Sequence, residues 1–552
     1  MTDLLRADIA TMLLDRVGDD HPGLRTRTAD WTWDEVVRES AARAALAREL
    51  RREGPFHIGV LLDNVPDFVF WLGAAALAGA TVAGINPTRG NAQLENDIRY
   101  VDCQLILTDS AGMVRLRELD LGLSPDRFLL VDDPAYAAMV DKHRGAEPEA
   151  VGGPESLMLL LFTSGTTGTS KAVKCSQQRL ATTAYAAATK FGHVREDMDY
   201  CCMPLFHGNA IMALWAPALT VGATVCLTPK FSASQFLPDV RYFGASFFTY
   251  VGKAVGYLLA TPETPVDLDN PLVRGFGTEA SVTDQEEFSR RFGARLYEGY
   301  GSSEGPSLAA LDRSAPPAAL GRPAHPGVAI VDPATLSECA RAELDEHGRV
   351  LNPDAAIGEM VDKRGALAFE GYYKNDAADA DRIHNGWYWT GDLGYVDTDG
   401  YLYFAGRRGD WIRVDGENTS ALLIQRVLGR HPRVIAAAVY AVPDPRSGDQ
   451  VMAAIEVADP AAFDALEFAE FLTAQDDLGT KGAPRLLRVS ADLPVTGSNK
   501  ILKRELQAES WHTDEAVYRW AGRGTPEYRL MTAEDRAELD TEFAAFGRQR
   551  LL

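Results

Sequence analysis

The chain has 552 residues and a formal net charge of −23. One hydrophobic core stops growing at about 250–300 residues, so two or more domains are expected. The acidity argues against nucleic acid or an anionic membrane as the main partner. It does not exclude a small anionic ligand, because a local group of basic residues is enough to hold one.

The cysteines and the apolar segments give no sign of export or membrane insertion. Six cysteines stand at positions 103, 175, 201, 202, 226 and 339 without a C-x-x-C pair, which suggests neither a disulfide framework nor a zinc site. Residues 1–16 carry both charge signs in an amphipathic helical pattern, unlike a signal peptide. Residues 68–85 are uncharged, but Gly79 interrupts them, so a buried helix and strand are predicted. We therefore expect a cytoplasmic protein without a transmembrane segment.

In the first half of the chain, short apolar runs alternate with helical patterns. This alternation predicts βαβ units around a parallel sheet. The predicted strands are 57–63, 81–87, 103–109, 223–229 and 245–252, and the predicted helices are 66–80, 94–102 and 231–244.

The pattern changes after about residue 390, where short aromatic strands alternate with Asp-Gly turns that predict hairpins. Helices are predicted at 421–432 and 461–475, and strands at 434–444 and 450–459. We expect a domain boundary within the polar segment 406–410, at a linker that can move. The predicted fold class is α/β: a large domain (1–406) of parallel or mixed sheets with helices, and a small mobile α+β domain (407–552).

Residues 163–170 contain six hydroxyl side chains and two glycines, and Lys171 follows directly. Glycines let backbone N–H groups converge on an anion, hydroxyls add donors, and lysine adds charge. These properties are typical of a phosphate-binding loop, and a merely polar surface loop is the alternative that the residues alone leave open. A P-loop NTPase is disfavoured, because Ser170 stands where that motif requires glycine and Ala172 where it requires Ser or Thr.

The segment resembles the phosphate loop of the adenylate-forming superfamily, which includes acyl-CoA synthetases, luciferases and peptide-synthetase adenylation domains. The usual form is [ST]-S-G-[ST]-T-G-x-P-K-G, from which this chain departs at Ser170 and Ala172. Further family elements follow in the same order, and two more segments point to the fatty-acid and very-long-chain acyl-CoA synthetases. The four elements are 298–305 (EGYGSSEG), 388–407, 416–418 (GEN) and 493–506, and the two branch-specific segments are 250–262 and 511–530.

The resemblance implies a reaction in two halves. A carboxylate attacks the α-phosphorus of MgATP to give an acyl-adenylate, and a thiol then attacks the acyl carbon. The expected enzyme is an ATP-dependent ligase of a fatty or other apolar acid, with ATP, Mg²⁺ and coenzyme A as cosubstrate. Alternatives are transfer to a carrier protein, and a diazotase that activates nitrite for an aryl amine. A nucleotide-binding regulator without catalysis is disfavoured by Glu304, Asp392 and Lys500. The oligomeric state and the acid do not follow from the sequence.

The resemblance also assigns residues to the nucleotide. The β- and γ-phosphates would be wrapped by Thr163, Ser164, Gly165, Thr166, Thr167, Gly168 and Lys171. The rest of the ATP site would comprise Thr278, Glu279, Tyr300, Gly301, Ser303, Asp392, Phe404 and Arg407. In this set Tyr300 would lie against the adenine and Asp392 would accept both ribose hydroxyls. Glu304 would hold Mg²⁺, a hard cation that prefers oxygen ligands.

Lys500 and His207 are the other catalytic candidates. Lys500 would reach from the small domain to the α-phosphate, because a compact point charge suits a site where charge develops; Lys503 is the nearest alternative. His207, in the segment PLFHGNA, would lie near the acid or gate its tunnel, although a lone histidine is often a core residue. The acid pocket would further include Tyr250, Val251, Gly252, Gly275 and Gly277.

The linker and the GEN loop carry two more expectations. Gly409 is the predicted pivot, since glycine eases a change of backbone angles. The GEN loop would lie where pantetheine enters, and Arg407, Arg408 and Arg413 would supply local positive charge for coenzyme A. We therefore expect coenzyme A, rather than a carrier protein, as the acceptor.

Overall fold

The computed structural model describes residues 8–163, 171–305 and most of 307–551. The undescribed positions in the last range are 311, 313, 317, 347, 349, 366–367, 408–410, 415–416, 447, 476–477, 479–481, 498 and 522–526. The phosphate-loop residues 164–170 and the predicted pivot Gly409 therefore lie outside the described residues.

The first sheet has six strands and confirms the predicted βαβ pattern. Its order is Phe128–Leu130, Cys103–Thr108, His57–Leu61, Thr81–Gly84, Leu157–Thr163, Lys171–Ser176. The strands are parallel except for the last, which pairs antiparallel with Leu157–Thr163. The uncharged stretch forms the buried helix Pro66–Ala78 and the buried strand Thr81–Gly84, as predicted.

The second sheet has seven strands and leads to most of the site. Its order is Arg295–Glu298, Arg274–Thr278, Phe247–Val251, Met198–Cys201, Thr224–Leu227, Pro22–Arg25, Asp30–Thr32. Its strands are parallel apart from Asp30–Thr32. In a parallel sheet the carboxyl ends of the strands share one edge, where ligands usually bind. At that edge Thr278 ends its strand, Gly252 begins the helix after Val251, and loops after Glu298 and Cys201 contain Tyr300 and His207.

Helices cover these two sheets and bury one extensive apolar core. The helices of this part are Ile9–Leu14, Trp33–Leu50, Pro66–Ala78, Asn91–Tyr100, Ser110–Leu116, Pro134–Asp141, Gln177–Phe191, Gly208–Ala210, Ala216–Val221, Ala233–Phe243, Gly252–Ala260 and Val282–Phe292, with a π-helical turn at Ile211–Trp215. Among the described residues, no helix is both long and apolar enough to cross a membrane.

A third, antiparallel sheet completes the part of the chain before the linker. Its main path is Ala309–Ala310, Ala319–Pro323, Leu402–Arg407, Trp387–Val396, Gly358–Asp362, Val328–Val331, and Ile383–His384 pairs with Trp387–Val396. The helices Pro353–Ala356 and Asp376–Arg382 lie between its strands in the chain. The last strand ends at Arg407, next to the predicted boundary, which stays a prediction.

The C-terminal part is the predicted α+β unit. It begins with the hairpin Trp411–Val414 and Glu417–Ser420 and the helix Ala421–Leu428. A five-stranded sheet follows, in the order Ala436–Pro443, Asp449–Glu456, Leu486–Ser490, Ala516–Trp520, Tyr528–Leu530. Apolar clusters line the sheet, and further α-helices in the described part of this unit are Ala465–Thr473, Lys503–Glu509 and Ala533–Ala545.

Candidate active site

The two ends of the predicted phosphate loop are close together. Thr163 ends one strand and Lys171 begins the next, and the two residues are paired in register. The Lys171 ammonium lies 5.0 Å from the centre of the Tyr372 ring. Ser164, Gly165, Thr166, Thr167 and Gly168 lie between these ends, outside the described residues, so their contacts to phosphate stay a prediction.

Four residues predicted to contact the nucleoside come together. Tyr300 donates a 2.7 Å hydrogen bond from its hydroxyl to Asp392 Oδ2, and Arg407 Nε lies 3.6 Å from Asp392 Oδ1. The Phe404 ring centre is 6.2 Å from that of Tyr300. Strand pairing places Asp392 directly opposite Arg407. The arrangement offers a carboxylate, a cation and two aromatic faces on one wall, next to Gly301.

Burial affects the protonation of this group. It raises the pKa of Asp392, while Arg407 and the Tyr300 hydroxyl act in the opposite direction. Burial also raises the pKa of Tyr300 well above its usual value, and the Asp392 charge adds to the effect. Tyr300 is therefore a hydrogen-bond donor at neutral pH, and a ribose contact of Asp392 stays a prediction.

Glu304 is a buried carboxylate, 7% exposed. Its Oε2 lies 2.9 Å from Arg382 Nη2, and Arg382 Nε donates to the Tyr372 hydroxyl at 3.1 Å. Tyr372 thus lies between Glu304 and Lys171, which links the predicted metal ligand to the end of the phosphate loop. The hard oxygens of a buried carboxylate fit Mg²⁺, and Glu304 stays the predicted ligand.

Ser303 connects the Glu304 segment to the His207 loop. The Ser303 carbonyl accepts a 2.6 Å hydrogen bond from Arg179 Nη2. A Cβ atom at Gly208 would lie 3.0 Å from Ser303 Oγ, so glycine lets the two segments approach closely. Burial, aided by the charges of Lys500 and Arg89, lowers the pKa of His207 to about 4. The imidazole is therefore neutral at pH 7 and able to form hydrogen bonds to a bound acid.

The residues predicted to line the acid pocket form a tightly packed wall. Tyr250 and Val251 are buried at the end of their strand, and the Tyr250 hydroxyl donates to Glu298 Oε1 at 2.9 Å. A Cβ at Gly275 would lie 2.5 Å from the Phe248 ring, and one at Gly277 would collide with Tyr250. On that side the glycines make room for aromatic rings rather than for an open cavity.

Lys500 reaches the large domain. Its ammonium lies 3.0 Å from Glu279 Oε1, in the loop that follows Thr278. Glu279 has a positive φ of 75°, and its carbonyl packs so closely on Gly252 that any side chain there would clash. The catalytic lysine candidate is therefore in direct contact with the loop predicted to lie beside the adenine and the acid, whereas Lys503 begins the next helix.

Sequence reasoning missed several residues that support the site. Arg382 pairs with Glu304, Arg179 holds the Ser303 carbonyl, and Glu298 accepts from both Tyr250 and the Ala280 N–H, at 3.2 Å for the latter. Burial raises the pKa of Glu298 to about 7. Only Glu298 had a sequence signal, since it begins the quoted EGYGSSEG motif. The two arginines lie outside every quoted motif.

Comparisons with known proteins identify the family of the chain. A model of the AMP-binding enzyme family matches residues 15–373, and one of the AMP-binding enzyme C-terminal domain matches residues 423–500. The steroid-22-oyl-CoA synthetase of Rhodococcus jostii (strain RHA1) is 70% identical over 552 residues, 100% of both chains. The medium/long-chain-fatty-acid–CoA ligase FadD17 of Mycobacterium tuberculosis (strain ATCC 25618 / H37Rv) is 43% identical over 91% of this chain and 96% of its own.

A solved structure shows the same fold at low sequence identity. ATP-bound MatB from Rhodopseudomonas palustris matches with a TM-score of 0.78 and 21% identity, covering 91% of this chain and 98% of that chain. The fold class and the family predicted from the motifs are thus confirmed, while the individual site residues stay predictions. The chain belongs to the AMP-binding enzyme family and is an AMP-forming acid–CoA ligase.

Proposed function

We propose that the enzyme activates a steroid acid whose side chain ends in a C22 carboxylate, and that it transfers the steroidal acyl group from AMP to coenzyme A. One observation supports the adenylation chemistry most directly. Lys500 of the small domain contacts Glu279 of the large domain, close enough to His207 for its charge to lower the pKa of that histidine. The substrate class is supported by the 70% identity to a steroid-22-oyl-CoA synthetase along the entire chain.

In the proposed first half-reaction, the nucleoside lies against Tyr300 and Asp392, and Lys171 helps to hold the phosphates. The acid lies beside neutral His207, with its carboxylate in line with the α-phosphorus. Lys500 stabilises the negative charge that develops as the phosphorus–oxygen bond forms and pyrophosphate leaves. Such catalysis depends on positioning and on preorganised charge.

Mg²⁺ is part of the proposal, with Glu304 as its protein ligand. When bound, it would neutralise charge on the phosphates. Arg382, 2.9 Å from Glu304, orients the carboxylate and balances its charge in a buried position. We place the enzyme in the cytoplasm, in keeping with six free cysteines.

The test supplies the purified enzyme with ATP, Mg²⁺, coenzyme A and a panel of acids. The panel holds a steroid C22 acid, its C22 alcohol as a matched control without a carboxylate, and medium-chain, long-chain and aryl acids. Pyrophosphate release and acyl-CoA are measured by coupled assay and mass spectrometry. We expect the steroid acid to give the highest kcat/KM and the alcohol to give no product.

Parallel reactions separate the alternatives. Nitrite with an aryl amine and ATP tests diazotisation, and steroid acid without coenzyme A tests whether adenylation needs the thiol. A diazo product without any thioester would contradict the ligase. Better turnover of an aryl or medium-chain acid than of the steroid acid would contradict the proposed substrate class alone.

A further inference from the structure

The small domain docks on one helix of the large domain, Gly252–Ala260. This helix directly follows the strand that ends at Val251, so it leads away from the site. A Cβ at Gly256 would lie 2.7 Å from the Ile435 carbonyl, which shows that the helix meets the backbone of the small domain without an intervening side chain. The helix face therefore fixes the position of the small domain in this arrangement.

A buried lysine lies in this contact. The Lys253 ammonium is 2.9 Å from Glu456 Oε2, and both side chains are only 3% exposed. It also donates to the Leu493 carbonyl at 3.1 Å and lies 3.6 Å from Asp492. An ammonium buried to this degree is costly without a charged partner. Every one of these partners belongs to the small domain.

The same contact is connected to the catalytic lysine. Glu456 Oε2 accepts the Leu493 N–H at 3.0 Å, so Lys253 and Glu456 bind the two polar groups of one residue. From Leu493 the chain runs directly to Lys500. A second anchor lies between them, where the Gly497 N–H donates to Thr88 Oγ1 at 3.1 Å. The segment that carries Lys500 is thus attached to the large domain at two points.

We propose that Lys253 is a positioning residue for adenylation, which holds the small domain so that Lys500 reaches the acid and the α-phosphate. The inference rests on the proposed function. When the small domain leaves this arrangement, Lys253 loses Glu456 and Asp492 as partners together. Without the charge of Lys253, the buried Glu456 carboxylate lacks its cation in the docked state, which disfavours that state relative to one in which Glu456 is hydrated. Removing the charge shifts the population away from the state that adenylates.

The first test is Lys253→Met, which keeps an unbranched apolar side chain, one atom shorter, and removes the charge. We expect the single-turnover rate of adenylation to fall on the order of 10²-fold. Removing one partner of a buried ion pair costs enough free energy to make the docked state correspondingly rare. The KM for ATP should stay within about 2-fold and thioester formation from preformed acyl-adenylate within about 3-fold, because neither needs this docked state. Lys230→Met, at an exposed lysine of the large domain, is the matched control and should behave as wild type.

Two more variants change Glu456, the partner of Lys253 in the small domain. Glu456→Gln should show the same selective loss, and Lys253→Met combined with Glu456→Gln should lose no more than Lys253→Met alone, because the two side chains act as one unit. Additive losses in the double variant would overturn the proposal. So would adenylation within about 3-fold of wild type in Lys253→Met, or equal losses in both half-reactions.

A measurement without substrate separates this inference from the proposed function. Amide hydrogen exchange of Gly252–Ala260 and Asp449–Glu456 reports docking in the free enzyme. In the Lys253→Met variant we expect the amides of both segments to exchange faster than in the wild type. In the Lys230→Met variant their exchange rates should equal those of the wild type. Unchanged exchange would overturn the positioning role, whatever acid the enzyme uses. Failure of every acid in the wild-type enzyme, with faster exchange in the variant, would overturn only the proposed function.

Discussion

Replacing Lys500 with alanine should abolish most adenylation without harming the fold. The ammonium lies 3.0 Å from Glu279 Oε1, and the two side chains are 40% and 54% exposed. An ion pair with this exposure contributes about 0–1 kcal/mol to stability. The melting temperature should therefore change by no more than about 2–4 °C.

The effect on the rate is larger because the charge acts on the transition state. Loss of one preorganised hydrogen-bond donor or charge at a developing oxyanion costs about 2.7–4 kcal/mol, or roughly 10²–10³-fold in rate. This exceeds the stability effect several-fold, so the two are separable by experiment. Thioester formation from preformed acyl-adenylate should be nearly unchanged, since that step starts after the phosphorus–oxygen bond has formed.

The assay follows pyrophosphate release in a single turnover and thioester formation from synthetic adenylate. Lys503→Ala, at the nearest lysine in the chain, is the control and should retain adenylation. Equal losses in the two half-reactions would refute the assignment of Lys500. A large loss in Lys503→Ala with none in Lys500→Ala would move the role to the other lysine.

Four further changes test the rest of the site. Glu304→Gln should raise the Mg²⁺ concentration needed for half-maximal adenylation by about 10-fold or more; an unchanged Mg²⁺ titration would remove Glu304 as the ligand. Asp392→Asn should raise the KM for ATP by about 10-fold with little change for the acid, and a change for the acid alone would argue against a ribose contact. The pKa of Glu298 is raised to about 7 from 4.5, so its contribution to stability is complete below about pH 4.5 and is lost as the pH rises through about 7. Glu298→Gln should therefore lessen the fall in melting temperature over that window, and parallel profiles would contradict the assignment. Gly252→Ala should lower both stability and adenylation, because its Cβ would clash with the Glu279 carbonyl; wild-type melting would show that the loop can move.

The sequence predicted elements that carry a strong local signal. The helix Pro66–Ala78 and the strands around it follow the alternation of apolar runs and turns. The strands between residues 309 and 362 had no such signal, because they are as short as the two residues Ala309–Ala310 and their sheet places residues 319–323 beside 402–407. That pairing joins segments about eighty residues apart, and local periodicity does not report it.

The family motifs named the candidate site residues, whereas the buried residues that contact them gave no local sequence signal. The motifs indicated Tyr300 and Asp392, which the fold joins by a hydrogen bond. Arg382 was missed, because an arginine in a helical segment is usually solvated. Lys253 was missed for the same reason, although its ammonium is buried between the domains. Their importance appears only when distant parts of the chain are brought together.

The most direct test of the account is the fate of the oxygen atoms of the acid. A steroid C22 acid labelled with ¹⁸O in its carboxylate is converted with ATP, Mg²⁺ and coenzyme A, and the AMP is analysed by mass spectrometry. Attack of the carboxylate on the α-phosphorus, followed by attack of the thiol on the acyl carbon, leaves one carboxylate oxygen on AMP. Activation through an acyl-adenylate therefore predicts AMP with one ¹⁸O atom and an equal amount of acyl-CoA. Unlabelled AMP, or ADP in its place, would contradict activation through an acyl-adenylate.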